Sequence, residues 1–308
     1  MSVAGLPERV DIREVGPRDG LQILPPISTD AKRRLLDALV ATGVRRIEAT
    51  AFVSTRAVPS MADAEDVAAY ALGLGGVEFS ALVASPGGAR RAVAAGMRAV
   101  EYVVSAADGH SQANVRRSTQ EAVAAVEDVA GIVHDAGGRC EVIVATAWDC
   151  PFDGPTPPER TAWVAARAVE LGADQLCLGD TIGTTSPSRV VSLVGRVRDA
   201  APGVPLGAHF HNTRGIGIAS AYAALLAGVT QLDASVGGMG GCPFAPGASG
   251  NIATEELVYL LDDAGVATGV DLDAVLAAAA LAQDLAGQQV DSNLLRAGGR
   301  ARQIPPSA

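Results

Sequence analysis

The sequence predicts a closed, parallel (β/α)8 barrel, the TIM-barrel architecture, with additional helices at its C-terminal end. Eight short segments rich in Val, Ile and Leu follow one another along the chain, and Ala-rich helical segments separate them. Glycine stands where several of these helices should end, directly before the next strand, as is common at helix C-termini in βα units. Eight such units favour a closed barrel over an open doubly wound sheet.

The predicted elements account for most of the chain. The first βα turn carries no GxGxxG motif, which weakens the dinucleotide-binding alternative. We expect one catalytic domain over residues 1–308, with the barrel at about residues 10–250 and a helical appendix at about residues 254–290. The eight strands are predicted at Val10–Val15, Arg46–Ala51, Glu78–Val83, Ala99–Ser105, Cys140–Ala145, Gln175–Leu178, Leu206–His211 and Gln231–Val236.

Composition limits the class of protein. With 48% hydrophobic and 19% charged residues, the chain can bury a large core. The formal net charge of −10 argues against a general affinity for nucleic acid or for an anionic membrane, although a small anionic substrate can still meet a local basic cluster. The four cysteines form no CxxC pair, and Met1–Arg9 has no signal-peptide character, so we expect a cytoplasmic protein with reduced thiols.

Only one lysine, Lys32, is present in the whole chain. It precedes Arg33 and Arg34 at the start of a predicted helix, whereas barrel enzymes place their chemistry at the C-terminal ends of the strands. Aldolases that form a Schiff base need a desolvated lysine at that end of the barrel. Aldol-type chemistry in this chain is therefore expected to use a metal instead.

Two histidines on the seventh predicted strand suggest where that metal would bind. His209 and His211 are two residues apart, so both project from one face of the strand while Phe210 points the other way. For an isolated HxH motif, a pair of core histidines is the commoner interpretation. Asp19 changes that balance, because strands 1, 7 and 8 are neighbours in a closed barrel. Mixed nitrogen and oxygen ligands with open positions favour Mg²⁺ or Mn²⁺ over structural zinc.

Further polar residues stand at the same ends of the predicted strands. Arg18 is either a surface arginine or a guanidinium aimed at a developing oxyanion. Glu48, an acid within the apolar second strand, needs a partner, and Arg18 is the candidate. Gln22 either orients substrate or caps the next turn. Thr181 follows the sixth strand, and so many polar residues at one end of the barrel indicate a functional site.

A glycine-rich segment, residues 237–251, follows the eighth strand. Long loops within a compact domain are usually functional, and the glycines permit close backbone approach and the hinge motion of a lid. Cys242 could protonate a carbanion, or it could be an inert buried thiol. Asn251 is either a helix N-cap or an oxygen ligand, and we favour the ligand because Thr254 and Glu255 are available as caps.

Together these segments resemble the 3-hydroxy-3-methylglutaryl-CoA lyase family of TIM-barrel metallolyases, from Val10 to about Asp263. The most specific matches are EVGPRDGLQ at Glu14–Gln22 and SVGGMGGCPFAPGASGNIATEEL at Ser235–Leu257. Supporting matches are IEATAFVS at Ile47–Ser54, VPSMAD at Val58–Asp63, LGDTIG at Leu178–Gly183 and HFHNTRG at His209–Gly215.

The resemblance implies a divalent-metal-dependent lyase that cleaves an acyl-CoA by a retro-Claisen reaction, with acetoacetate and acetyl-CoA as products of 3-hydroxy-3-methylglutaryl-CoA. It also suggests a homodimer. Asp19 or His209 would take the substrate's hydroxyl proton, Arg18 would stabilise the enolate oxygen and Cys242 would deliver a proton. Glu48 matches the family's active-site acid. The family's metal ligands fall on Asp19, His209, His211 and Asn251.

Two segments depart from the best-known mitochondrial members. After the second histidine this chain reads Asn212-Thr213-Arg214 where they typically show Asp-Thr-Tyr, and the loop after strand 4 reads Ser105-Ala-Ala-Asp-Gly-His110 rather than a Ser-Glu-x-Phe-like pattern. Asn212 and Arg214 are therefore candidate contacts to the acyl end of the substrate. Citramalyl-CoA, cleaved to pyruvate and acetyl-CoA, or another branched 3-hydroxyacyl-CoA is the alternative substrate.

Three other classes of protein compete with this interpretation. A synthase that condenses acetyl-CoA with a keto acid would share the barrel and the HxH motif, but it usually carries an added regulatory region. A metal-dependent carboxyltransferase would need an active-site lysine. A non-catalytic binding barrel would have no physical need to keep all of Arg18, Asp19, Glu48, Cys242 and Asn251.

Overall fold

The structure, a computed structural model, describes residues 5–241 and 250–299. Within them eight parallel strands close into a barrel, in which each strand pairs with the next along the chain and β8 pairs with β1. The predicted fold class is confirmed. The strands are β1 (Asp11–Glu14), β2 (Arg46–Phe52), β3 (Glu78–Val83), β4 (Ala99–Ser105), β5 (Arg139–Ala145), β6 (Gln175–Asp180), β7 (Leu206–Phe210) and β8 (Gln231–Ala234).

Helices surround the barrel and follow the strands in the predicted alternation. The five glycines expected to end helices all have positive φ, between 72° and 104°, at Gly43, Gly96, Gly137, Gly172 and Gly228. The helices are α1 (Thr29–Val40), α2 (Ala64–Gly73), α3 (Pro86–Ala94), α4 (Asp108–Val115), α5 (Thr119–Asp135), α6 (Pro158–Glu170), α7 (Pro187–Ala200), α8 (Gly217–Leu226), α9 (Thr254–Asp263), α10 (Leu272–Ala286) and α11 (Asn293–Ala297).

Several strand ends differ from the predicted ones by one or two residues, and two of these differences shape the mouth of the barrel. β6 continues to Asp180, which pairs with Phe210 of β7. β7 ends at Phe210 because His211 leaves the parallel ladder and forms an antiparallel bridge with Asn251. The chain that follows the glycine-rich segment therefore returns directly to the end of β7.

Lys32 does not line the cavity at the C-terminal end of the barrel. It is buried on α1, where its Nζ donates to the Ser60 carbonyl at 2.5 Å and forms an ion pair with Asp63. The Ser60 hydroxyl in turn donates to the Gln22 carbonyl at 2.9 Å. The lysine thus fastens α1 to the loop after β2, and through it to the loop after β1.

Among the residues that the structure describes, no helix combines the length and the apolar character needed to cross a bilayer.

Candidate active site

The turn after β1 carries the first two residues of the site. Residues Gly16–Gly20 form one buried π-helical turn, in which the Val15 carbonyl accepts hydrogen bonds from the backbone amides of Arg18, Asp19 and Gly20. Such turns are rare and are found mostly at functional sites. The turn holds the consecutive side chains of Arg18 and Asp19 at the C-terminal end of the barrel, where barrel enzymes place their chemistry.

Three buried side chains meet there with the donor set of a cation site. Asp19, His209 and His211 each offer one ligand atom, and these atoms lie within 4.8 Å of one another. The two imidazole rings are 5.1 Å apart between centroids, so the predicted common face of the two histidines is present. One carboxylate and two imidazoles form a mixed oxygen and nitrogen set that suits a divalent cation.

Asn251 joins this cluster from the end of the glycine-rich segment. Its Nδ2 donates to the Asp19 Oδ2 at 2.7 Å and to the Met239 carbonyl at 2.9 Å. Its Oδ1 is buried and has no hydrogen-bond partner among the described residues, and neither has the Nδ1 of His211. A buried amide oxygen without a donor fits a site that takes a cation. The helix that follows has Ala253 as its N-cap, so Asn251 does not serve as that cap.

The segment before Asn251 is moulded against the same cluster. Gly240 has a φ of 126°, and a Cβ atom there would lie 2.6 Å from the Asn251 Nδ2 and 3.3 Å from the Asp19 Oδ2. Only glycine fits this backbone so close to the two side chains. Cys242, the predicted proton donor of the segment, lies outside the described residues.

Arg18 connects Asp19 to a second buried carboxylate. Its Nη1 donates to the Asp19 Oδ1 at 2.5 Å, and its Nε lies 2.7 Å from the Glu48 Oε2. Burial opposes ionisation of Asp19, but Arg18 together with His211 and His209 outweighs it and holds the pKa of Asp19 well below its usual range. Burial raises the pKa of Glu48 to about 8, with Arg18 opposing the rise and Glu101 adding to it. Arg18 therefore binds one permanent carboxylate and one that titrates near neutral pH.

A cavity of about 600 Å³ opens above these groups. Of the predicted residues, the cavity is lined by Arg18, Asp19, Gln22, Thr181, His209 and His211. It extends along the loops after β2 and β3 and past α4, so the metal cluster lies at one part of a much longer space. The volume is in the range of sites for small organic ligands and cofactors.

Glu48, Asn212 and Arg214 do not line this cavity among the described residues. Glu48 is fully buried behind Arg18. The Asn212 Oδ1 accepts from the backbone amide of Gly217 at 3.1 Å, and the exposed Arg214 donates to the carbonyls of Ile182 and Gly183. The chain turns away from the mouth after His211. The side chains of Asn212 and Arg214, where the sequence differs from the mitochondrial members, therefore bind backbone groups of neighbouring loops.

A buried network of ion pairs lies beneath the cluster, and it was not predicted from the sequence. Arg13 on β1 donates from Nε at 2.9 Å and Nη2 at 2.8 Å to Asp233 on β8, and also to Glu101 and Glu141, at 2.8 Å each. Asp233 also lies 3.1 Å from the Nδ1 of His209. Burial alone would raise the pKa of Asp233, but Arg13 outweighs it and holds that pKa well below its usual range. The available signal was that four of the predicted strands carry charged residues among their apolar ones, at Arg13, Glu101, Glu141 and Asp233.

His110 is another residue of the cavity wall to which the sequence gave no role. It lies on α4, buried, with its Nδ1 2.6 Å from the Ser105 hydroxyl. Burial lowers the pKa of His110 to about 4, so the imidazole is neutral at physiological pH. At this position it offers the cavity a hydrogen-bonding group and not a charge.

Comparison with known proteins decides the family. A family model described as HMGL-like matches residues 9–282. The chain belongs to that family. This HMGL-like chain is 42% identical over 282 residues to an (R)-citramalyl-CoA lyase of Chloroflexus aurantiacus, covering 88% of this chain and 89% of the relative. It is 43% identical over 269 residues to a hydroxymethylglutaryl-CoA lyase of Pseudomonas mevalonii, covering 87% and 89%.

Solved structures agree with the sequence relatives of the HMGL-like chain. An HMG-CoA lyase from Acinetobacter baumannii in complex with coenzyme A and 3-methylmalate superposes with a TM-score of 0.93 at 35% identity, over 99% of both chains. The carboxyl transferase domain of Rhizobium etli pyruvate carboxylase, at 17% identity and a TM-score of 0.72 over 93% of this chain and 49% of that one, shares the fold alone. The predicted class of enzyme, a carbon–carbon lyase of this family, is confirmed.

Proposed function

We propose that the protein is a divalent-metal-dependent lyase that breaks the bond between C2 and C3 of a branched 3-hydroxyacyl-CoA in a retro-Claisen reaction. The observation that carries the proposal is the cluster of Asp19, His209 and His211 beside Arg18 in the wall of the long cavity. 3-Hydroxy-3-methylglutaryl-CoA, giving acetoacetate and acetyl-CoA, is the proposed substrate. Citramalyl-CoA, giving pyruvate and acetyl-CoA, is the second candidate, because a citramalyl-CoA lyase is 42% identical.

The cation would be held by Asp19, His209, His211 and Asn251. Oxygen and nitrogen ligands without sulfur support Mg²⁺ or Mn²⁺. When bound, the ion supplies a Lewis acid that lowers the pKa of the substrate's tertiary hydroxyl. Since Arg18 keeps Asp19 ionised, the site retains its negative ligand over the whole physiological pH range.

The reaction needs a proton acceptor, a group that stabilises an enolate and a proton donor. Asp19 and His209 are the two groups of the cluster that could accept the hydroxyl proton. The Arg18 guanidinium lines the cavity and is held from behind by Glu48, so it meets the developing charge on the thioester oxygen already oriented. We assign the proton that completes acetyl-CoA to Cys242, because the residue before it in the sequence, Gly241, lines the cavity.

The remainder of the cavity suits the coenzyme A part of the substrate. Its wall includes Gly87 and Gly88 in the first turn of α3, where backbone amides and the helix dipole favour an anion. Arg91 lies one turn further along, paired with Glu65 at 2.7 Å. Gly87, Gly88 and Arg91 thus form a local site for the phosphates of coenzyme A, on a chain whose net charge is −10.

A metal titration combined with a substrate panel tests the proposal. Mg²⁺ or Mn²⁺ should raise the melting temperature of the wild type and of His134→Ala, an exposed histidine on α5, but not that of His211→Ala. With metal, 3-hydroxy-3-methylglutaryl-CoA or citramalyl-CoA should be cleaved to acetyl-CoA and a keto acid identified by mass. A wild type that neither responds to metal nor cleaves any thioester of the panel would overturn the proposal.

The homodimer and the cytoplasmic location stay predictions of the sequence. Light scattering on the purified protein tests the first, and fractionation of the source cells tests the second.

A further inference from the structure

His209 and His211 differ in the hydrogen-bond partner of their Nδ1 atoms. The Nδ1 of His209 lies 3.1 Å from Asp233, whereas the Nδ1 of His211 is buried without a hydrogen-bond partner among the described residues. Asp233 is itself 1% exposed and is gripped by two donors of Arg13. The ring of His209 is therefore anchored to β8 through its Nδ1, and the ring of His211 has no such anchor at its Nδ1 among the described residues.

We infer that Asp233 is a positioning residue for the metal centre, held in place across the barrel by Arg13. The inference rests on the proposed function, since it concerns the same metal. A carboxylate can only accept a hydrogen bond, so it requires a proton on the Nδ1 of His209. That leaves the Nε2 lone pair of His209 free for the cation, in the tautomer that a histidine ligand needs.

The contact that anchors Asp233 joins residues 220 positions apart in the sequence, and its geometry is rigid. Arg13 on β1 binds Asp233 with two parallel hydrogen bonds, a geometry that fixes the carboxylate plane. Glu101 on β4 and Glu141 on β5 accept further hydrogen bonds from Arg13 at 2.8 Å each, and all four residues are 2% exposed or less. Within this network Asp233 contacts His209, whereas Glu101 and Glu141 contact Arg13 from the opposite side of the barrel.

Asp233→Asn separates this role from a purely structural one. The amide keeps the size of the carboxylate, but it has one acceptor oxygen for the donors of both Arg13 and His209. The Asp233 Oδ2 accepts from the Arg13 Nη2 and faces the His209 Nδ1, while its Oδ1 accepts from the Arg13 Nε. One orientation of the amide therefore turns its NH₂ group against the Arg13 Nε and loosens the anchor, and the other turns it against His209. Even in the first, the neutral amide oxygen is a weaker acceptor for His209 than the carboxylate. Glu141→Gln is the matched control, because it removes one carboxylate from the same Arg13 without touching His209.

The experiment measures the dissociation constant of Mn²⁺ for the full-length wild type and both variants, after thermal unfolding has shown that the metal-free variants fold. Asp233→Asn should bind Mn²⁺ about 10- to 100-fold more weakly, and Glu141→Gln within about threefold of the wild type. Asp233→Asn should also lower kcat/KM at limiting metal and regain part of it at saturating metal. Equal losses in the two variants, or a loss in neither, would overturn the inference.

A second measurement decides the matter even where Asp233→Asn does not fold. The chain has four histidines, so their ring nitrogens can be resolved in ¹⁵N-labelled, Mg²⁺-loaded wild type. A slowly exchanging proton on the Nδ1 of His209, shifted downfield by a carboxylate acceptor, is expected, and its absence refutes the role of Asp233. If the wild type binds no metal, the proposed function fails with it; if only the Asp233 results fail, the proposed function stands.

Discussion

The contact between Arg18 and Glu48 predicts how two substitutions should combine. Arg18 lines the cavity, whereas Glu48 lies behind it with its Oε2 2.7 Å from the Arg18 Nε and reaches the reacting groups only through that arginine. Arg18→Gln removes the guanidinium group that we propose stabilises the enolate oxygen. The loss of one such donor lowers kcat by about 10²- to 10³-fold. Glu48→Gln leaves Arg18 attached to Asp19 alone.

The size of the second effect follows from the same contact. Arg18 and Glu48 form a buried ion pair, for which we take the contribution of a close polar contact to a charged group, about 1.5 to 3 kcal/mol. Since Asp19 still holds one nitrogen of Arg18, we expect the lower value for Glu48→Gln, or about a tenfold loss of kcat. Without Arg18 the pKa of Glu48 rises above its value of about 8, so the carboxyl is neutral at pH 7.5 and Gln replaces it at little cost. The double variant should therefore match Arg18→Gln within about threefold.

The assay is steady-state release of acetyl-CoA at saturating Mg²⁺, with kcat and KM determined separately for the wild type, both single variants and the double variant. KM and the Mn²⁺ dissociation constant should change by less than about threefold throughout. Arg34→Gln, at an exposed position on α1, is the control for a lost guanidinium. A double variant that shows the product of the two single losses would mean that Glu48 acts on the substrate independently of Arg18, and the reasoning would be wrong.

Two further predictions concern the elements that frame the site. The Glu14 carboxylate accepts hydrogen bonds from the backbone amides of Gly16 and Val236 and from the Thr254 hydroxyl, and burial raises its pKa from 4.5 to about 7. The folded protein thus keeps a proton that the unfolded chain loses, so this contribution, about 3 kcal/mol, is complete below pH 4.5 and is lost as pH rises through 7. Urea unfolding of the metal-free protein should show a smaller decline in stability between pH 5 and pH 8 in Glu14→Gln than in the wild type; equal declines would contradict the assignment. Gly240→Ala should weaken Mn²⁺ binding by about tenfold, because its Cβ would lie 2.6 Å from the Asn251 Nδ2. Gly75→Ala is the control and should not change Mn²⁺ binding, because the space around Gly75 is open. Unchanged binding in Gly240→Ala would show that the cluster tolerates a shift of this segment.

The fold and the centre of the site could be predicted because their signals are local. Strand and helix periodicity, repeated eight times, specifies the barrel, and a spacing of two residues specifies the common face of His209 and His211. Asp19 could be added because closure of a barrel makes the first and last strands neighbours. Nothing beyond strand order was needed for these steps.

The remaining features depend on pairings that no short segment encodes. Arg13 and Asp233 are 220 residues apart, and the sequence shows that each is a charge in an apolar strand but not which charges meet. Asn212 and Arg214 were expected at the substrate because they follow the metal pair. In three dimensions the chain turns towards α8 after His211, so closeness along the chain to a ligand did not bring their side chains to the cavity.

The only lysine of the chain has a chemical consequence for an enzyme that handles acyl-CoA. Thioesters acylate unprotonated amines, and the ε-amino group of Lys32 is 2% exposed, engaged with the Ser60 carbonyl and paired with Asp63. The other 23 basic side chains are arginines, whose guanidinium groups remain protonated and are poor nucleophiles. While folded, the protein can therefore hold its activated substrate and product without offering a lysine side chain to be modified by them.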